Sequence, residues 1–279
     1  MIRARRSTIP LAVATVGILL LSGCAGGSDE APAEESPYIT EGKLTVATGE
    51  PAYYPWVIDD APESGEGFEA AVAYAVAEEL GFDTDDVVWV RSSFEASIAP
   101  GPKDFDINLQ QFSITDERKQ AVDFSSPYYE TTQTVITTGD SAAADASSIA
   151  DLQGLIVGAQ TGTTSFTAAE DIIAPTNGVS AFNTNEDAKA ALESGQIDAL
   201  VVDLPTAFYM TGAELDDGVI VGQLPRTAGE GDSFGIVLPK DSELTADVSD
   251  AVDALREDGT LEDLAAEWLG GDDTAPVLD

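Results

Sequence analysis

Residues 155–172 read LIVGAQTGTTSFTAAEDI. Leu155 to Ala159 is a continuous apolar run, the pattern of a strand covered on both faces. Gly162-Thr163-Thr164-Ser165 then provides a turn and a capping hydroxyl, and opens a helix through Ile172. A strand feeding a helix is one βα unit, and the unit recurs downstream. Asn185 to Glu193 reads as a helix closed by Gly195, and Ile197 to Val202 (IDALVV) as a second buried parallel strand. Pro205 sits in the first turn of a helix over Thr206 to Met210.

The same alternation precedes this stretch. Lys43 to Thr48 (KLTVAT), Val87 to Arg91 and Asp106 to Leu109 read as strands. Between the first two, Phe68, Val72, Ala75, Val76 and Leu80 lie at helical spacing within Glu66 to Leu80, with Gly81 at the stop position. Thr115-Asp116-Glu117-Arg118 reads as the cap and acidic first turn of a short helix, and Thr134 to Thr138 as a strand. An irregular Ser/Ala/Asp stretch, Gly139 to Ser148, separates the two runs. Phe234 to Leu238 is a last strand. Two helical stripes follow it, Leu244, Val248, Val252 and Leu255, then Leu261, Leu264, Ala265 and Trp268. Two such runs imply an α/β protein of two lobes, each an open, mostly parallel sheet flanked by helices. Ligands of such sheets bind beyond the carboxyl ends of the strands. That rule points at Thr48-Gly49-Glu50, Leu109 to Ser113, Gln160 to Ser165 and Asp203.

Composition removes several function classes. The 279 residues include 51 Asp and Glu against 12 Lys and Arg, a formal charge of −39. A nucleic-acid surface needs a cationic footprint, so no nucleic-acid partner is expected. With no histidine and one cysteine, Ser-His-Asp and Cys-His catalysis, a His/Cys zinc cage and an intrachain disulfide are all excluded. Acidic pairs such as Asp59-Asp60 and Asp216-Asp217 lack the ladder of a calcium loop. Neither a cofactor nor a metal is expected, and the acidity reads as solvated surface charge.

The amino terminus reads as an address. Arg3, Arg5 and Arg6 precede the apolar run Ile9 to Leu21, the n-region and h-region of a signal peptide over residues 1–23. The run ends in Leu21-Ser22-Gly23-Cys24, which looks like a lipobox, with the only thiol where a nucleophilic sulfur would accept diacylglycerol. The alternative is an ordinary signal peptide with an incidental cysteine. With acylation at Cys24, residues 24–37 become a lipid-bearing cysteine and a flexible acidic tether. The expected location is then extracytoplasmic, on the outer face of the cell membrane, since a diacyl anchor is enough for stable attachment.

Four loops carry candidate chemistry. Arg118 offers a planar fork that matches a carboxylate. Asp203 ends a buried strand, where a carboxylate can pair with an ammonium group. Gly162-Thr163-Thr164 presents N–H donors at a helix start, which favour an anion. Tyr53, Trp56 and Phe94 can form apolar walls. Together these suit a zwitterion such as an α-amino acid. Each part also has a plainer reading: Arg118 in a surface salt bridge with Glu117 or Asp123, Asp203 as a helix cap, and the threonines as capping residues only.

Longer motifs resemble those of one family. Ser113-Ile114-Thr115-Asp116-Glu117-Arg118 leads to Val122-Asp123-Phe124-Ser125-Ser126-Pro127-Tyr128-Tyr129. Gly67-Phe68-Glu69, Gly195-Gln196-Ile197-Asp198-Ala199-Leu200 with Asp203, Phe234-Gly235-Ile236, and Leu255-Arg256-Glu257-Asp258-Gly259-Thr260 accompany it. Over about Lys43 to Gly270 the chain is similar to the bacterial family 3 extracellular solute-binding proteins, which deliver polar amino acids to ABC importers. The resemblance implies a two-lobed, periplasmic-binding-protein-like clamshell of type II. Its crossovers would lie near Tyr128 to Thr132 and Glu230 to Ser233. Lobe 1 would be residues 38–129 with 234–270, lobe 2 residues 132–230, and 271–279 a C-terminal tail. Arg118, helped by Thr163 and Thr164, would hold the ligand α-carboxylate, and Asp203, helped by Ser113, the α-amino group. Tyr53 would stack on the ligand and Phe94 would form the opposite wall. Glu50, Gln111 and Gln160 would read a polar or cationic side chain. The implied protein is a monomer and no enzyme. It closes on its ligand by a hinge motion and meets the transmembrane subunits of a permease. A dehydratase-like enzyme in the same cleft, using carboxylates such as Glu50 and Asp203, and a ligand sensor without transport stay open as alternatives.

Overall fold

The structure, a computed structural model, describes residues 36–225, 232–270 and 275–279. The expected signal peptide, Cys24 and nearly all of the tether lie outside the described residues, as does Glu230 of the second expected crossover.

Among the described residues, ten strands form two five-stranded sheets. In chain order they are β1 (Leu44–Thr48), β2 (Val87–Arg91), β3 (Ile107–Asn108), β4 (Val122–Thr131), β5 (Gln133–Thr138), β6 (Val157–Gln160), β7 (Ser180–Phe182), β8 (Ala199–Asp203), β9 (Gly218–Gln223) and β10 (Asp232–Pro239). The helices are α1 (Phe68–Glu79), α2 (Phe94–Ile98), α3 (Ile149–Leu152), α4 (Thr164–Ala168), α5 (Asn185–Glu193), α6 (Leu204–Tyr209), α7 (Thr245–Glu257) and α8 (Thr260–Trp268). The first sheet has the order β2-β1-β3-β10-β4 and the second β7-β6-β8-β5-β9. In the first, β10 alone runs against the other four strands; in the second, β5 does. Each sheet is therefore mixed in pairing and mostly parallel in direction.

Strand alternation builds the core. Leu200 and Val202 of β8 point into one apolar cluster, while Ala199 and Val201 point into the cluster on the other face. In β10, Ile236 and Leu238 pack with α1, α7 and α8, and Val237 with Phe105, Phe112 and Val122 behind them. Both faces of both sheets are thus covered, which explains the unbroken apolar runs. Thr163 caps where the sequence places it, accepting from the Phe166 amide at 3.1 Å, and Thr184 caps α5 in the same way, accepting from the Asp187 amide at 3.1 Å.

Two expectations change, and one element was not foreseen. The helix expected at Thr115 is one 3-10 turn, Arg118–Gln120, with the Arg118 amide donating to Thr115 Oγ1 at 3.1 Å. The helix opened by Gly162 runs as α4 and then widens into a π turn over Ala169–Ile173. The motif at Val122 is a ten-residue strand, β4. Its polar stretch and Pro127 hid it, yet β4 lies on a sheet edge, and Pro127 faces a register shift at Gly235, where a missing ladder donor is tolerated.

The chain passes from the first sheet to the second at Thr132, between β4 and β5, and Asp232 at the start of β10 pairs with Thr131. Residues 275–279, outside both expected lobes, pack on the second sheet. Val277 bridges Gln223, Leu278 is 3% exposed, and the Ile149 amide donates to Asp279 O at 3.1 Å. Gly222 makes room for this, since a Cβ there would lie 2.8 Å from Leu278 and from Pro276 O.

Candidate functional site

The ends of β1, β3, β6 and β8 and the turns that follow them face one cavity between the sheets. Nine of the ten residues to which the family resemblance gives a ligand role line it, Tyr53, Phe94, Gln111, Ser113, Arg118, Gln160, Thr163, Thr164 and Asp203, and so does the wall candidate Trp56.

Glu50 is the exception and corrects the expectation. It is exposed, and its neighbours Gly49 and Pro51 face the cavity instead. Arg91 holds the Gly49 carbonyl at 2.8 Å while Asp60 accepts from the Ala52 amide at 2.9 Å, so the turn presents backbone inward and leaves the Glu50 charge in water.

Arg118 is 8% exposed, and among the described residues no carboxylate lies in salt-bridge range of it. Its two terminal nitrogens donate to carbonyls on opposite sides of the cavity, Ser113 O at 2.7 Å and Gly162 O at 2.9 Å. Its guanidinium lies over the Phe94 ring, 5.3 Å from the centroid, and Phe94 stacks on Phe112 at 4.9 Å. The salt-bridge reading therefore fails: Asp123 pairs with Lys240 at 2.8 Å instead. Burial lowers the Arg118 pKa, and the charges of Asp232, Asp203 and Glu117 oppose that shift. Arg118 is the only cation among the lining residues.

Asp203 precedes α6 but makes no capping hydrogen bond. Its Oδ1 accepts from Gln133 Nε2 at 2.8 Å. Burial pushes its carboxyl up to about 8; the Asp232 charge adds to this, while the Gln133 bond and Arg118 oppose it. Thr163 does act as a cap, as the plainer reading had it, and its hydroxyl donates to Gln160 O at 2.6 Å. Thr164 reaches Ser113 Oγ at 3.0 Å across the cavity. The Thr164 and Ser165 amides open α4 and have no partner within it.

Below the cavity lies Glu69, 1% exposed. The Gln111 amide N–H donates to its Oε1 at 2.7 Å, and Gln111 Nε2 and the Tyr128 hydroxyl complete its shell. Burial pushes Glu69 up to about 7 against these bonds. They also hold Gln111 at φ 50°, an uncommon conformation for a side-chain-bearing residue. Gln111 lines the cavity with its amide nitrogen already committed downward.

Sequence reasoning missed Gln133, Asp232 and the role of Glu69, and gave Trp56 only a wall. Trp56 Nε1 in fact donates to Thr206 Oγ1 at 3.2 Å, and Tyr54 stacks on Tyr209 at 4.2 Å. Both contacts join the two sheets' halves. The signal for Gln133 was a lone amide heading a β-branched strand; Asp232 had none among so many acids.

Comparison with known proteins agrees with this geometry. The profile of the bacterial extracellular solute-binding proteins, family 3, matches residues 44–271. The L-arginine-binding protein of Pseudomonas aeruginosa is 30% identical over 229 residues, covering 80% of this chain and 86% of its own. An ancestral arginine-binding protein bound to glutamine superposes with a TM-score of 0.68 at 30% identity, over 83% of this chain and 99% of the other. An ancestral amino acid-binding protein, described as a precursor of cyclohexadienyl dehydratase, gives 0.67 at 31% identity, over 82% and 95%. The two solved structures share the two-lobed fold of mixed sheets, and all three relatives are named as binding proteins. The chain belongs to the bacterial extracellular solute-binding proteins, family 3.

Proposed function

We propose that the protein captures an α-amino acid in the interlobe cavity and hands it to the transmembrane subunits of an ABC importer. The observation that carries this reading is Arg118, a buried guanidinium facing a cavity with no carboxylate of its own in salt-bridge range among the described residues. Burying a charge is costly unless it is paired. A ligand carboxylate would supply the pair, with the Thr164 and Ser165 amides as further donors. Asp203 and Ser113 would take the ammonium. Tyr53, Trp56 and Phe94 would enclose the rest, while Gln160 and Asn185 suit a polar side chain.

Micromolar binding needs about −8 kcal/mol. Three or four charge-assisted hydrogen bonds at roughly 1.5–3 kcal/mol each supply that after ordering costs. Closure follows because only the closed form offers both walls to one ligand. The lipid anchor at Cys24, the tether, the position on the outer membrane face and the monomeric state belong to the same proposal. The basic start, the short apolar run and the single cysteine support the anchor.

A second reading has one specific support. The relation to a dehydratase precursor, together with a carboxyl at Asp203 held up to about 8, suits an acid catalyst acting on a small carboxylic acid. Thermal shift against the twenty amino acids, cystine and ornithine tests the first reading. At 100 times its dissociation constant a ligand stabilises by about 2.7 kcal/mol. A saturable shift with unchanged ligand recovered supports binding. A changed ligand supports the enzyme, and no shift from any compound overturns the amino acid reading.

A further inference from the structure

Gln133 heads β5 at the passage between the sheets and is 6% exposed. Its Nε2 donates to two carboxylates at once, Asp203 Oδ1 at 2.8 Å on β8 and Asp232 Oδ2 at 2.7 Å on β10. Thr164 Oγ1 lies 3.3 Å from the same nitrogen, and Gln133 Oε1 is buried with no partner among the described residues. One neutral amide therefore separates two carboxylates, and its position rests on its nitrogen alone.

We infer that Asp203, set beside Asp232 on the one donor Gln133 Nε2, keeps a proton on its carboxyl, and that a ligand ammonium group is taken up in exchange for it. This rests on the amino acid reading for the identity of the cation. Two ionised carboxylates on one donor repel each other, and buried carboxyl pairs keep a proton for that reason. The charged and titratable groups facing the pair do not remove the need. Among the described residues Arg118 is the single cation facing it, Glu69 of α1 adds negative charge, and Tyr128 and Tyr129 of β4 are neutral below their raised pKa values. The upward shift of Asp203 agrees with a retained proton. An ammonium against Asp203 supplies the positive charge instead, so the proton leaves to solvent and no other bond changes. Gln133 and Asp232 are then positioning residues, and Asp203 is the group that touches ligand. Because ligand needs the ionised form of Asp203, affinity should fall about tenfold per pH unit as pH drops from 7.5 to 5.5.

Carbon NMR of the full chain labelled at the aspartate side-chain carboxyl tests the pair without any ligand. One aspartate should titrate near pH 8, far from the surface aspartates. Its signal should vanish in Asp203→Asn and move down by a pH unit or more in Asp232→Asn, with Asp232→Ser as a second variant should the first not fold. No aspartate titrating between pH 6 and 9, or one indifferent to both Asp232 variants, overturns the retained proton. L-arginine and L-glutamine are the probes for the exchange. Saturating binding should drive that titration below pH 6 and release close to one proton, read by calorimetry in two buffers of different ionisation enthalpy. Binding with an unmoved titration overturns the exchange and leaves the amino acid reading standing. If neither probe nor any other amino acid binds, that reading and the exchange fall together, while the ligand-free titration still decides the retained proton.

Discussion

Replacing Arg118 separates a ligand clamp from a structural residue. Arg118→Met keeps an apolar stem against Phe94 and removes the guanidinium. A bidentate carboxylate contact contains two charge-assisted hydrogen bonds at roughly 1.5–3 kcal/mol each, so about 3 kcal/mol or more is lost. That is roughly 150-fold in dissociation constant, at 1.36 kcal/mol per decade. The bond from Arg118 to Gly162 O at 2.9 Å also joins the two walls, and its loss adds about 1 kcal/mol against closure. Stability of the ligand-free protein should change by no more than about 2 kcal/mol, because relief of a buried charge with no carboxylate in salt-bridge range among the described residues offsets the lost bonds to Ser113 O and Gly162 O. Arg118→Lys keeps the charge without the fork and should fall between the two. Calorimetry gives the affinity and a thermal melt gives the stability. A loss below threefold in a folded Arg118→Met protein, or a loss matched by a collapse of the ligand-free melt, would refute the clamp.

Three other perturbations follow from the same geometry. Trp56→Phe removes the donor to Thr206 but keeps a ring; binding should weaken two- to tenfold, about 0.5–1.5 kcal/mol, mostly through faster dissociation in stopped flow. Glu69 has its pKa raised from 4.5 to about 7, so the folded state holds a proton that the unfolded chain has lost in that window. Stability should therefore fall by about 3 kcal/mol as pH rises from 4.5 to 7, and Glu69→Gln should flatten that slope in urea titrations. Leu278→Ala opens a gap against Val221 and Leu224 and should cost about 2–4 kcal/mol, visible as a lower melting temperature with little change in ligand affinity.

What the residue pattern disclosed and what it hid have physical causes. Apolar runs such as Leu155 to Ala159 and Ala199 to Val202 are legible because strands covered on both faces need apolar side chains at every position. Caps and stops, Thr163, Gly81 and Gly195, are legible because each answers a local backbone need; Gly81 and Gly195 do sit at φ 87° and 70°. β4 was hidden because an edge strand may carry proline and polar residues. The contacts that assemble the cavity were hidden for a different reason. Gln133 meets Asp232 across 99 positions and Trp56 meets Thr206 across 150, and no local pattern records a contact made only by the tertiary fold. Glu50 misled because it follows β1 directly: strand ends face the cleft, but the backbone turn at Gly49 directs which side chain enters it.

The central claim is that the two walls grip the two charged ends of one small molecule. Calorimetry with the best L-amino acid from the thermal panel, its α-methyl ester and its deaminated analogue measures that grip directly. The account predicts that each altered end weakens binding at least thirtyfold, and that Arg118→Met abolishes the penalty for the ester while Asp203→Asn abolishes the penalty for deamination. Equal affinity for all three compounds would contradict it.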